Sequence, residues 1–192
     1  MRSGSFVKLN MKTKIKTSGQ IWIETVLYTL IGLSLIGLAL AFITPKITEA
    51  KDRLVVEQTI NSLNTVDERI NAVLQAAGNR RILEEFTMKR GELYVNSSGD
   101  EIAFVINGLK KPYSQPGVEI SVGRIKVLSQ TGQKTSTVSL TLKYDINITY
   151  AKEDVLKKFD ASATPYKFSV ENLGDINKNG IEVVSIEEIS GR

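Results

Sequence analysis

The side chains that could do chemistry in this chain form a short set, because its 192 residues include no cysteine and no histidine. Disulfides, Cys/His metal sites and catalysis that depends on Cys or His are therefore excluded. Carboxylates, Ser, Lys and Tyr remain, but the carboxylates are scattered, and the sequence has no Gly-rich phosphate loop or nucleophile motif. We expect a protein that is not an enzyme and that uses no cofactor.

One polar cluster resembles the first half of an EF-hand calcium loop, D-x-N-x-N-G. It consists of Asp175, Asn177, Asn179 and Gly180. Ile186 stands at the twelfth position, where that loop needs a bidentate Glu, although Glu182 or Glu187 could substitute. A polar hairpin turn explains the same residues equally well, so calcium is an alternative and no metal is expected.

Two acceptor sequons for N-glycosylation are present, Asn96-Ser97-Ser98 and Asn147-Ile148-Thr149. Such sequons are functional only on an external protein, and a chain rich in Asn, Ser and Thr also contains them by chance. Modification of Asn96 and Asn147 and a chance occurrence both stay open.

Glu24 directly precedes twenty uncharged residues, Thr25 to Thr44, with the sequence TVLYTLIGLSLIGLALAFIT. At about 1.5 Å per residue, a helix of that length covers roughly 30 Å, the hydrocarbon thickness of a bilayer. The run therefore predicts a membrane-spanning helix. An ionisable group at that place either lies solvated at the headgroup level or has a partner.

The net charge of +4 belongs to the N-terminal tail, because residues 1–19 hold five bases and no acid, and the remainder holds twenty bases and twenty-one acids. The surplus therefore does not indicate a nucleic-acid partner. By the positive-inside rule, the tail lies in the cytoplasm and the bulk of the chain lies outside. A cleaved secretory signal peptide is the alternative, but this run is longer than such an apolar region and ends in Thr44-Pro45-Lys46.

The tail ends in Ser18-Gly19-Gln20. A cut after Gly19 would create a charged α-amine four residues before Glu24, and that amine could neutralise the carboxylate inside an apolar assembly.

A basic leader, a Gly before the cut, an acid at the fifth mature position and an apolar span resemble the N-terminus of a type IV pilin precursor. With Gln20 first, the pattern is most similar to the archaeal pilins with a class III signal peptide, which begin Gln-x-Ser-x-Glu. Gln20 and Glu24 match that pattern, whereas Trp22 stands where Ser is usual. The resemblance covers about residues 8–45.

The resemblance implies that a membrane prepilin peptidase cuts between Gly19 and Gln20 on the cytoplasmic side. It also implies that the subunits then pack through their apolar helices into a filament, as homo-oligomers or with other pilins. Glu24 would pair with the N-terminal amine of a neighbouring subunit. An unpaired buried carboxylate would cost several kcal/mol, which is consistent with that role.

Beyond the span, apolar residues recur at spacings of 3 and 4, which predicts an amphipathic helix over residues 45–78 that ends at Gly78-Asn79. They are Val56, Ile60, Leu63, Val66, Ile70, Val73 or Leu74, and Ala77. If Pro45 only kinks the path, residues 20–77 form one helix whose second half packs against a globular domain. A coiled-coil dimer is the alternative use of the apolar stripe.

Residues 79–192 are predicted to form a β-rich domain. Turns are expected at Arg90-Gly91, Ser97 to Asp100, Asn107-Gly108, Gln115 to Gly117 and Thr131 to Gln133. Strict alternation from Val138 to Tyr150 predicts one long antiparallel strand. Gly123 is expected to be a bulge, Lys152 to Phe159 a short helix, and Tyr166 to Val170 with Ile181 to Ile189 a closing hairpin.

The expected fold class is α+β: a long N-terminal membrane-spanning helix followed by an antiparallel, sandwich-like β domain. The expected segments are a leader over 1–19, an apolar helix over 20–44, its amphipathic extension over 45–78 and the external domain over 79–192. The expected function is a pilin-like filament subunit in contact with the lipid bilayer. The alternatives are a minor pilin or pseudopilin of a secretion or uptake machine, and an uncleaved single-pass anchor that carries an external binding domain.

Overall fold

The structure is a computed structural model that describes residues 18–175 and 180–189. Its α+β layout confirms the expected fold class, since one long apolar helix precedes two β-sheets. The chain divides into two compact units, Met1–Pro45 and Lys46–Arg192. We call the second the head unit; it holds the last part of the helix and all the strands.

Helix α1 runs from Ser18 to Val73 and contains Pro45 in its interior, so the chain remains helical through that residue. The helix ends a few residues before the predicted stop. Asn172 in the β domain closes it, because its side-chain Nδ2 donates to the Val73 carbonyl over 3.2 Å. The Gly78 amide, at a φ of +80°, donates to the Asn172 carbonyl over 2.7 Å. The helix stop thus depends on a residue that is distant in sequence.

In the described ranges, ten strands follow the helix. They are β1 (Arg80–Phe86), β2 (Glu92–Asn96), β3 (Glu101–Leu109), β4 (Glu119–Val122), β5 (Ile125–Thr131), β6 (Ser136–Lys143), β7 (Asn147–Tyr150), β8 (Leu156–Asp160), β9 (Tyr166–Gly174) and β10 (Val183–Glu188). One sheet has the order β1-β9-β10-β7, and the other has the order β4-β5-β6-β3-β2-β8. Every pairing is antiparallel except that of β7 with β10, which is parallel.

The apolar stripe of α1 lies inside the head unit, as its period predicted. Its residues Val56, Leu63, Ile70 and Val73 are fully buried and belong to one cluster with the inner faces of both sheets. At about 25 cal/mol per Å² of apolar surface removed from water, burial of each such side chain contributes roughly 1.5–3 kcal/mol. The stripe therefore packs against the β domain of its own chain, and the coiled-coil alternative was wrong.

The predicted long strand from Val138 to Tyr150 was wrong, because the chain leaves one sheet at Lys143 and enters the other at Asn147. Asp100, whose φ is +49°, holds this corner. Its carbonyl accepts from the Tyr144 amide over 2.9 Å, and its carboxylate accepts from the Ile148 amide over 3.0 Å. Both Tyr144 and Ile148 still face the core between the sheets, so the alternation continues across the break.

Three smaller predictions were also wrong. Gly123 is not a bulge but part of the two-residue turn between β4 and β5, and its φ of +61° suits a turn that needs Gly at its first central position. Asn107-Gly108 lies at a register shift inside β3 rather than in a turn. Lys152 to Phe159 is not helical: Ala151 and Lys152 have positive φ, and the chain then forms β8.

The closing hairpin is confirmed. Strands β9 and β10 pair antiparallel over Phe168 to Gly174, with Val170 opposite Ile186. Its loop contains the polar cluster that resembles a calcium loop.

Candidate functional site

The first part of α1, residues 21–45, presents a continuous apolar surface. Trp22, Leu33 and Phe42 are 69%, 65% and 70% exposed, and the neighbouring Leu and Ile side chains are exposed as well. The most apolar window has a mean hydropathy of 2.4, and none of it is buried. Within the described residues, this is the one helix long and apolar enough to cross a membrane. Soluble monomers rarely expose a contiguous apolar surface of this kind.

The serine and threonine hydroxyl groups in this segment are all bonded within the helix. The Oγ1 atoms of Thr25 and Thr29 donate to the carbonyls of Ile21 and Thr25 over 2.9 and 2.7 Å. Ser34 and Thr44 make the same i−4 bond, each over 2.7 Å. A hydroxyl that is bonded in this way can enter an apolar medium without an unsatisfied donor. The segment is therefore suited to lipid despite its Ser and Thr content.

Glu24 is the single charged residue between Lys16 and Lys46. The structure places it in the second turn of α1 with its side chain exposed, and no ion pair joins it to another described residue. Gly19 and Gln20, the predicted cleavage site, lie in the first turn of the same helix. The leader bases, Arg2 to Lys16, lie outside the described residues. The structure thus positions Glu24 on the apolar helix, and the part of the chain that it describes supplies no ion-pair partner.

A second acid, which the sequence analysis missed, lies in the head unit. Asp52 is 7% exposed, and its two carboxylate oxygens accept from Arg90 Nη1 and from the Lys110 amide, each over 2.7 Å. Arg90 also donates from Nε and Nη2 to the Asn107 carbonyl over 3.0 and 2.8 Å. The one signal in the sequence was position, since Asp52 precedes Val56 and Ile60 at spacings of four on the buried face.

Close to this ion pair, the loop after β3 lies against α1. Lys111 Nζ is 2.7 Å from Glu49 Oε1, and this hydrogen bond holds the pKa of the Glu49 carboxyl below its usual value. The Arg53 guanidinium lies 5.8 Å from the centre of the Tyr113 ring. These contacts, together with Asp52, fix residues 49–53 of α1 to the end of β3.

A third contact joins α1 to the opposite end of the strands. Arg124 Nη1 is 2.9 Å from Asp67 Oδ1, and the guanidinium lies 5.1 Å above the Tyr144 ring. The Tyr144 hydroxyl is buried near Asp67 without a hydrogen bond of good geometry. Burial raises the pKa of Tyr144 strongly, and the negative charge of Asp67 raises it further. This arrangement holds the helix in place; it does not form an open pocket.

The calcium prediction falls partly outside the described residues, which exclude Asn177 and Asn179. Asp175 is exposed, and its Oδ2 accepts from the Gly180 amide over 2.7 Å, which is a bond that a turn makes. No group of three acidic residues that could hold a metal occurs among residues 18–175 and 180–189.

The two sequons differ in accessibility. Asn96 is half-buried at the end of β2, and its Nδ2 donates to Glu101 Oε1 over 2.8 Å, while Ser98 is exposed. Asn147 starts β7, an edge strand, but Thr149 is buried and its hydroxyl donates to the Val184 carbonyl over 3.3 Å. Asn96 and Asn147 are thus both half-buried at strand ends, and Thr149 of the second sequon is buried.

In comparisons with known proteins, no protein-family model, no curated protein and no solved structure matches the chain. Its function must therefore be inferred from the exposed apolar helix, the acid near the start of that helix and the head unit.

Proposed function

We propose that this chain is a pilin-like structural subunit of a type IV pilus-type surface filament. In this proposal the leader is removed between Gly19 and Gln20, and residues 20–44 first anchor the subunit in the membrane. The same helix then packs against its copies in the filament core, and the head unit forms the outer surface. No step of this assembly requires catalysis by the chain itself.

The observation that supports the proposal best is the combination of a wholly exposed apolar helix with one carboxylate, Glu24, near its first turn. A plain membrane anchor has no use for that carboxylate, which costs roughly 2.5–3.5 kcal/mol at a membrane centre and less near an interface. In a packed assembly, by contrast, a single charge pair in an apolar surrounding fixes which arrangement forms, because every other register leaves the charge unpaired.

N-terminal sequencing of the membrane or filament form tests the proposal. The expected first residue is Gln20, in open or cyclised form, in cells that carry a prepilin peptidase. Gly19→Val should retain the leader, whereas Gly4→Val, a matched change inside the leader, should leave cleavage intact. An intact leader in the unchanged protein would instead favour the single-pass anchor with an external binding domain.

Abundance on the cell surface separates a major subunit from a minor pilin or pseudopilin. Both share the processed N-terminus, so another measurement is required. Electron microscopy should compare cells that express the chain with cells from which its gene has been deleted. Loss of long filaments on deletion is expected for the major subunit. Persistent filaments of the same number and diameter would assign the chain to a priming or capping role.

A further inference from the structure

The loops of the head unit gather at two opposite ends. At one end, which we call the proximal end, lie residues 87–91, 110–118, 132–135 and 161–165. Their proximity follows from the pairing of Leu109 with Ser136 and from the hydrogen bond between the Ser162 amide and the Met88 carbonyl, over 3.0 Å. The other end, the distal end, holds residues 74–79, 97–100, 123–124, 144–146, 151–155, 175 and 180–182. Glu101 pairs with both Asn96 and Lys143 there, about 26 Å along β3 from Leu109.

Charge is divided between these two ends. The proximal loops contain five bases and no acid: Lys89, Arg90, Lys110, Lys111 and Lys134. The described residues of the distal loops contain six acids and two bases. On the strands next to the proximal loops lie four acids, Glu85, Glu92, Asp160 and Glu188. Glu92 and Asp160 both form ion pairs with Lys158, over 2.7 and 2.9 Å. The loops of the head unit are therefore positive at one end and negative at the other.

Helix α1 adds bases and acids to the proximal end, but its acids are already occupied. Asp52 pairs with Arg90, Glu49 with Lys111, and Glu57 with Arg53 over 3.0 Å. In the described part of the chain, four exposed lysines at this end form no ion pair: Lys51, Lys89, Lys110 and Lys134. Their charge is available to an external anion.

The proximal end is the part of the head unit that follows the apolar segment directly in the chain. Lys46 begins the head unit directly after the apolar segment, and Asp52 and Glu49 contact the loop after β3, so the bases lie where the chain leaves that segment. We propose that the proximal end of the head unit binds the anionic headgroups of the membrane that residues 21–45 cross. Tyr113, half-buried beside Arg53, fits the same boundary, since Tyr is enriched where apolar and headgroup layers meet.

This inference rests only on membrane insertion of the apolar segment, which the filament subunit and the single-pass anchor share. It concerns the subunit before assembly. Basic residues next to a membrane span gain roughly a five-fold preference for an anionic surface per lysine, and the gain falls off within a Debye length. Headgroup binding would hold the head unit against the membrane until another interaction replaces it.

The test uses the full chain reconstituted in vesicles of phosphatidylcholine, either alone or mixed with anionic phosphatidylglycerol. Because the chain has no cysteine, a fluorophore can be placed at Gln115→Cys in the proximal end or at Ser98→Cys in the distal end. Quenching by lipid with a spin-labelled headgroup should be stronger for the proximal label in anionic vesicles than in neutral ones. The difference should disappear near 1 M salt, where the Debye length is about 3 Å. The distal label should not respond.

The triple variant Lys51→Gln, Lys110→Gln, Lys134→Gln should lower the equilibrium constant for headgroup binding roughly five-fold per lysine. A matched triple variant, Arg69→Gln, Arg80→Gln, Lys143→Gln, changes the net charge equally away from the proximal end and should retain the quenching. Equal quenching of the proximal label in neutral and anionic vesicles would overturn the proposal. Energy transfer between proximal and distal labels on different molecules, lost at low protein-to-lipid ratio, would instead assign the positive end to the negative end of a second copy. Neither outcome affects the test of leader cleavage.

Discussion

Asp52 in α1 and Arg90 in the loop between β1 and β2 form an ion pair of 2.7 Å, although they lie 38 positions apart in the chain. The same carboxylate accepts from the Lys110 amide, and the same guanidinium bonds the Asn107 carbonyl twice. The pair therefore connects the helix to two separate segments of the β domain. This pair attaches the helix at the proximal end, and apolar packing and the Arg124–Asp67 ion pair attach it farther along.

Asp52→Ala should lower the free energy of unfolding of the head unit by about 2–4 kcal/mol, because it leaves the Arg90 guanidinium and the Lys110 amide without their acceptor. Thermal or denaturant unfolding of the detergent-solubilised chain, followed by the circular dichroism of the β domain, measures this change. Glu57→Ala, which removes an exposed i, i+4 partner of Arg53 on the same helix, is the control and should change stability by no more than about 0.5 kcal/mol. Equal effects of the two variants would contradict the role assigned to Asp52.

Gly91→Ala should destabilise the head unit by roughly 2–5 kcal/mol, since Gly91 has a φ of +100° and lacks space for a side chain. A Cβ atom there would lie 2.5 Å from Phe104 Cε1 and 2.7 Å from the Val105 carbonyl oxygen. Gly117→Ala is the matched control, because Gly117 has a φ of +75° and a Cβ atom added there would meet nothing within 4 Å, so it should cost only about 1 kcal/mol. Both variants place Ala at a positive φ, so the difference between their melting temperatures measures the destabilisation caused by the steric clash.

The stability of the head unit should fall at high pH partly through Tyr144. Because burial and Asp67 raise the pKa of this phenol in the folded state, its contribution is complete below the unfolded value near 10 and is lost as the pH rises above it. Each pH unit in that range costs about 1.4 kcal/mol per such group. Tyr144→Phe should flatten the decline in a series of denaturant titrations between neutral pH and pH 11. Tyr166→Phe should flatten it less, because Tyr166 is less buried; an unchanged slope in Tyr144→Phe would refute this assignment.

Glu24→Ala should leave cleavage and membrane insertion largely intact but reduce filament assembly, because the proposed partner amine would lose its counter-charge. Glu24→Asp, which keeps the charge, should retain more assembly than Glu24→Ala. Thr25→Ala, a neighbouring change that removes only an internal hydroxyl bond, should assemble normally. The measurements are N-terminal sequencing, membrane fractionation and filament counts by electron microscopy. Normal filaments with Glu24→Ala would remove the proposed role of the carboxylate while leaving cleavage to be judged separately.

The spacing of apolar residues was enough to predict the elements that bury one face along their whole length. The stripe from Val56 to Val73 has the helical spacing, and its burial follows from that spacing alone. The strand pair β9 and β10 was predictable for the same reason. A single apolar segment of twenty residues likewise needs no tertiary information to be recognised.

The failures arose where distant residues decide the path. The alternation from Val138 to Tyr150 continues without a break, but Asp100 turns the chain at Tyr144, and its hydrogen bond to the Ile148 amide spans 48 positions. Both sheets face one core, so the inward positions keep their phase when the chain crosses from one sheet to the other. Period alone therefore cannot detect the crossing.

The residues of the candidate site were likewise predicted only in part. Glu24 was identified because a charge among apolar residues is conspicuous in sequence. The role of Asp52 was not, because its partners Arg90 and Lys110 come from the β domain, 38 and 58 positions later. The charge division between the two ends of the head unit likewise required the strand order, since it arises from loops that are interleaved along the chain.

The place of β10 has a consequence for export. This strand lies inside the four-stranded sheet between β9 and β7, yet it follows every other strand in chain order. Among the described residues, β7 has no neighbour in that sheet other than β10, so the sheet cannot close before residue 188 is available. If the head unit crosses a membrane after the apolar helix, as the proposed topology requires, this sheet is completed only once β10 has emerged. Folding of the head unit then waits for translocation of its last strand.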